Sequence, residues 1–204
     1  MLRLAIPNRP GSLGAVATAM GTVGADINAV EIVERRDDSD VDDFMVDLPG
    51  ETPPDVLVTA CTDVAGVSVL WLSFYPESWG LHSDVDVLDA MTSDPGHAAA
   101  ILTQAAPHVF HATWAVLINP ATHMLMETSE LAPDITAHAL DSLAAFTQAG
   151  TYELPADWLP GLDDMLIAVA PLRDDTSIVL ARHGGPEFMG SEVARLRHLA
   201  ALAM

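Results

Sequence analysis

Leu2-Arg3-Leu4-Ala5-Ile6, running straight into Asn8-Arg9-Pro10-Gly11-Ser12-Leu13, is the stretch that decides how this chain is read. The first five residues read as a strand. A small-residue helix is expected from the Pro-Gly turn to Gly24, and Asp26-Ile27-Asn28 open the next apolar run. A strand that turns through Pro-Gly into a helix leaves unpaired backbone N–H groups converging on one spot, which suits a small anion such as a carboxylate. Pro10 fits the first helical position, where an N–H has no intrahelical partner, and Gly11 lets a ligand approach the backbone. The same spacing also fits a helix start that holds no ligand.

Working outward, residues 27–34 and 41–48 read as paired strands, 53–62 as a helix and 66–75 as a further strand. The Asp-rich stretch 37–43 reads as the exposed turn of a hairpin. Gly14 and Gly21 fall on one helical face, where they would let the helix lie close to the sheet. They are too widely spaced for a dinucleotide fingerprint.

At these residues the chain resembles the ACT domain, a small amino-acid-sensing regulatory module. The matching elements are Asn8-Arg9-Pro10-Gly11-Ser12-Leu13 after a first strand and Gly24-Ala25-Asp26-Ile27 before a second. The resemblance covers residues 1–76 and implies an α+β, βαββαβ ferredoxin-like domain. It also implies an allosteric homodimer that binds an amino acid between two copies. Carried over, Asn8 would bond the polar head of the ligand, beside Arg9, and residues Pro10, Gly11, Ser12 and Leu13 would present backbone donors. Asp26, Ile27 and Asn28 would reach in from the neighbouring copy. Ile6 and Asp26 stand where serine-sensing members carry histidine and asparagine. An ionised Asp26 only accepts hydrogen bonds, so it favours a ligand ammonium.

The chain breaks at Tyr75-Pro76-Glu77-Ser78-Trp79-Gly80, and a second organisation occupies residues 80–204. Residues 84–104 read as helical, interrupted at Asp94-Pro95-Gly96 with Asp94 as a cap. Strands are expected at 113–119 and 124–129, a helix at 135–148, a hairpin at 164–172 and 177–182, and a last helix capped by Ser191. This half resembles the GAF domain, a sensory fold with a central antiparallel sheet. The residues concerned are Ser177-Ile178-Val179-Leu180-Ala181-Arg182, leading through Gly184-Gly185-Pro186-Glu187-Phe188 into the last helix, with Leu154-Pro155-Ala156-Asp157-Trp158-Leu159 before them. No cyclic-nucleotide motif maps onto it, so the resemblance implies no ligand residue there.

Composition bounds the function. The 204 residues carry a net charge of -21. Phosphate binding needs a basic face, so nucleic acid and anionic membranes are disfavoured as partners. All eight basic residues are arginine. Schiff-base and P-loop lysine chemistry are therefore excluded. Cys61 is the single cysteine, which excludes an intrachain disulfide or a thiolate cluster and fits a reducing cytoplasm. It reads as a buried structural thiol.

His108 with His111, and His123 with Glu127, are the best metal candidates by spacing. His108-Val109-Phe110-His111 reads as the start of a strand, where residues three apart point to opposite faces. Ser191 and His198 lack the G-x-S-x-G elbow of a hydrolase. Glu192 and Arg195 read as a weak surface ion pair. Trp71, Phe74, Trp79, Trp114 and Trp158 read as core or inter-domain packing. The expectation is a non-enzymatic cytoplasmic regulator without catalytic residues, metal or cofactor. The alternative is an interaction or accessory subunit of an amino-acid biosynthetic enzyme with an empty ACT site.

Overall fold

The computed structural model describes residues 1–74, 84–155, 157–162, 164–173 and 175–203. The chain divides into two compact units, Met1–Pro76 and Glu77–Met204. The break expected at Tyr75 to Gly80, with Trp79, lies outside the described residues.

The first unit runs β1 (Leu2–Pro7), α1 (Ser12–Thr22), β2 (Asp26–Arg35), β3 (Ser39–Asp47), α2 (Pro54–Thr62), β4 (Ser68–Leu72). Its four strands are antiparallel in the order β2-β3-β1-β4. Leu2, Leu4 and Ile6 alternate from β1 onto one face, where they meet Val16 and Met20 of α1 and Leu57 and Cys61 of α2. Each helix thus buries a pair four residues apart, a single apolar stripe. Burial pushes the Cys61 thiol up to about 11. The glycines of α1 do not serve close packing: Gly14 and Gly21 are exposed, with open space where a side chain would stand. Gly24, by contrast, ends the helix at φ +77, and a Cβ there would meet Pro49 Cγ at 3.2 Å. This is the left-handed stop that glycine supplies.

On the other face of β1, Arg3 is fully buried. Its Nε and Nη2 donate to Oδ1 and Oδ2 of Asp43, each at 2.7 Å. Asp43 sits directly across the ladder from Arg3. The Asp-rich stretch is therefore not all turn. Only Asp37 and Asp38 make the exposed connection; β3 starts at Ser39 and buries Asp42 and Asp43 to 5% and 2% exposure. Phe74, expected to be packed, is 90% exposed.

The second unit opens with α3 (Asp84–Ser93), a 3-10 turn (Pro95–His97) and α4 (Ala98–Val109). There follow β5 (Trp114–Asn119), β6 (Met124–Thr128), α5 (Ala137–Ala144), β7 (Gly150–Glu153), β8 (Met165–Pro171), β9 (Ser177–His183) and α6 (Gly190–Leu202). The antiparallel sheet has the order β6-β5-β9-β8-β7. Its central strands are apolar on both sides because both faces are covered. Ala115, Leu117, Ile178 and Leu180 face the cluster built with α3, α4 and α6. Trp114, Val116, Val179 and Ala181 face α5 and Trp158, and Trp114 stacks on Trp158 at 5.8 Å.

Several sequence expectations are corrected here. His108 and Val109 end α4 instead of starting a strand, because Pro107 is accommodated inside that helix. The helix expected at 135–148 is shorter, and Gly150 opens strand β7, which the sequence reading missed. Ser191 is not the cap of α6. The helix starts after Met189, whose N–H donates to Glu192 Oε2 at 2.8 Å. Nor is Glu192 a surface residue: at 6% exposure it pairs with buried Arg182, which also donates to the carbonyls of Phe110, His111, Pro186 and Glu187. Arg195 instead holds Asp84 at 2.8 Å.

Gly14→Ala is expected to raise unfolding free energy by about 0.5–1 kcal/mol, since alanine suits an exposed helix interior. Gly24→Ala should lower it by about 1 kcal/mol or more, because the left-handed φ and Pro49 both oppose a side chain. Arg3→Ala should cost about 3–5 kcal/mol by leaving the Asp43 carboxylate buried alone. Urea denaturation of each variant measures these.

Candidate functional site

The connection from β1 to α1 is built by backbone constraint. Asn8 donates its N–H to the Asp38 carbonyl at 3.1 Å, which ties the loop to the β2–β3 turn. Arg9 donates its N–H to Pro7 and its Nη2 to the Ala65 carbonyl at 3.3 Å. Gly66 supports the far side. At φ +85, with a hypothetical Cβ only 2.8 Å from Pro7 Cγ, it permits the close approach of the two loops.

Gly11 is the N-cap of α1 at φ 90, with no atom within 4 Å of where its side chain would be. Pro10 therefore precedes the cap and is not the first helical residue. Ser12 donates its N–H to Arg9 and Ala15 donates to Gly11. Leu13 and Gly14 are then the first-turn donors that the helix itself cannot satisfy. Gly14 was missed because its role depends on where the helix begins. Asn8, Arg9 and Pro10 are exposed and Leu13 is 48% exposed. The Ser12 hydroxyl oxygen is buried and has no hydrogen-bond partner.

The second group of expected residues lies elsewhere. Asp26 starts β2 opposite Asp47, and Ile27 packs onto the core. Asn28 is exposed at a register shift between Ile27 and Ala29, a bulge that re-aims side chains. Within one copy these residues do not meet the Asn8–Leu13 loop. Pro7 pairs with Ser39, whereas Asp26 pairs with Asp47. Eight strand residues, about 26 Å at roughly 3.3 Å each, separate those levels of the sheet.

What does lie on the loop's side of the sheet is a pair of carboxylates that sequence reading assigned to a turn. Asp40 pairs with Ile6 and Asp42 with Leu4, so both face the helices. The Oδ1 atom of each carboxylate is buried without a hydrogen-bond partner. Burial pushes the Asp42 carboxyl from 3.8 up to about 6; the Asp40 and Asp43 carboxylates add to this, and Arg35 opposes it.

The histidine pairs resolve differently. His123 Nδ1 lies 2.5 Å from Asp141 Oδ1 on the exposed surface, and Glu127 accepts from Gln104 Nε2 at 2.7 Å. Among the described residues no group of three or more His, Cys, Asp or Glu is arranged to hold a metal. Among them, too, no helix is long and apolar enough to cross a membrane.

No family model matches the chain, and no curated protein matches it. Among solved structures, the GAF domain of a sensor histidine kinase from Pseudomonas syringae pv. tomato is similar to it. The identity is 18% and the TM-score 0.40, over 58% of this chain and 79% of that one.

The raised Asp42 value has a definite sign. The folded state holds the proton more tightly than the unfolded chain, so the associated stability is complete below pH 3.8 and is lost as pH rises through 6. Asp42→Asn is expected to abolish that part of the pH dependence and to stabilise the protein at pH 7 by on the order of 2 kcal/mol. Urea midpoints of both proteins between pH 4 and 7 check it.

Proposed function

We propose that the chain is a non-enzymatic regulator whose first unit acts as an ACT-type domain and binds a small amino acid between two copies. The second unit is read as a GAF-like sensory or interaction domain. The observation that carries the ligand site is the separation of the two residue groups to opposite ends of one sheet. Two copies joined along β2 in antiparallel fashion would set the Asn8–Leu13 loop of each beside Asp26 and Asn28 of the other.

Three features favour that pairing. Among the described residues, strand β2 is the outermost strand of its sheet. Val30 and Ile32 on it, and Leu13 at the start of α1, are 41%, 47% and 48% exposed. Leu13 and Gly14 offer amide donors for a ligand carboxylate, while Asp26 accepts from an ammonium. A ligand that bridges two copies binds the dimer and not separate chains, so it shifts the population toward one arrangement.

Unfolding midpoints recorded with each common amino acid at about 5 mM should rise for at least one of them. Asn8→Ala and Asn28→Ala should each remove that rise, and light scattering should give the mass of a dimer. A dimer that answers to no amino acid would favour an accessory subunit with an empty site. A monomer without response would overturn both readings.

A further inference from the structure

We propose that the ligand of the first unit is a basic amino acid, its side-chain cation received by Asp42 with Asp40 beside it. The inference rests on the amino-acid reading given above and names the class of ligand.

A carboxylate removed from water without a partner is strongly unfavourable, and folded chains pair or neutralise such groups. Asp42 is 5% exposed, and its Oδ1 is buried without a hydrogen-bond partner. The register places it between Leu4 of β1 and Ile32 of β2, and places Asp40 between Ile6 and Arg35. Both therefore lie on the face that α1 covers, at the end of the sheet where the Asn8–Leu13 loop enters the helix. The buried Ser12 hydroxyl at that helix start also lacks a partner. Two carboxylates and a hydroxyl call for a donor of positive charge, which neutral backbone amides do not supply.

Ile32 leaves the approach open, being 47% exposed directly across the ladder from Asp42. Asp40 and Asp42 stand one and three residues in from Ser39, about 3 and 10 Å along the strand. A long basic side chain covers that range from a head group seated on the loop amides. Arg35, the chain's own nearby cation, is exposed and forms no hydrogen bond to either carboxylate. A metal ion is the poorer occupant, because among the described residues no third side-chain ligand completes a set.

The test uses the full chain and four probes: L-lysine, L-arginine, norleucine (lysine without its terminal ammonium) and L-glutamate. Calorimetric titration should give binding of lysine or arginine, with norleucine and glutamate weaker by about tenfold or more. Asp42→Asn should lose a similar factor for the basic ligand, and its unliganded unfolding midpoint shows separately that it is folded. Norleucine binding as tightly as lysine, or Asp42→Asn keeping its affinity, overturns the charge assignment and leaves the amino-acid site standing. Silence from these probes, with a response to another neutral amino acid, does the same. Silence from every amino acid removes the site and this inference together.

Discussion

The buried fork between Arg3 and Asp43 is the constraint on which the first unit depends. Two parallel hydrogen bonds at 2.7 Å join residues directly opposed on β1 and β3. A planar guanidinium meeting both oxygens of a carboxylate fixes direction as well as distance. Strand side chains alternate, so a slip of one residue would turn Arg3 into the apolar core and Leu2 and Leu4 out of it. The pair therefore locks the register. It also decides the fate of its neighbour: with Asp43 held on one face, Asp42 must point to the other, among Leu4 and Ile32.

That consequence joins the two halves of the functional argument. The loop from β1 to α1 presents amides, which attract negative charge, while the adjoining strand presents carboxylates, which attract positive charge. The proposed ligand, a zwitterion with an additional cationic arm, would satisfy both. The acidity of the chain, net -21, is spread over both units. The two acids on this face are set apart by an Oδ1 that is buried and has no hydrogen-bond partner.

Much of this was legible in the residues. The alternation of Leu2, Leu4 and Ile6, the Pro10-Gly11 turn and Gly24 gave the order of elements in the first unit, because each acts over a few neighbouring positions. The apolar runs at 164–172 and 177–182 likewise announced the hairpin of β8 and β9. What failed was long-range. Asp42 and Asp43 look like a turn until Arg3, forty residues away, is known to need Asp43. Glu192 looks like a surface charge until Arg182 is placed beneath it by the loop after β9. His108 looks like strand only because Pro107 disfavours the helix that α4 nevertheless continues. Partners of buried charges are set by topology, and one-dimensional spacing does not carry it.

Strand β2 departs from regular pairing twice, between Ile27 and Ala29 and between Ile32 and Glu34. Each irregularity bends the outermost strand and sharpens its twist. A bent border cannot serve as the straight template on which chains stack without limit into fibres. For so acidic a molecule, unlimited growth by strand addition is thus opposed by shape as well as by charge, whereas a single closed pairing of two copies is not such growth.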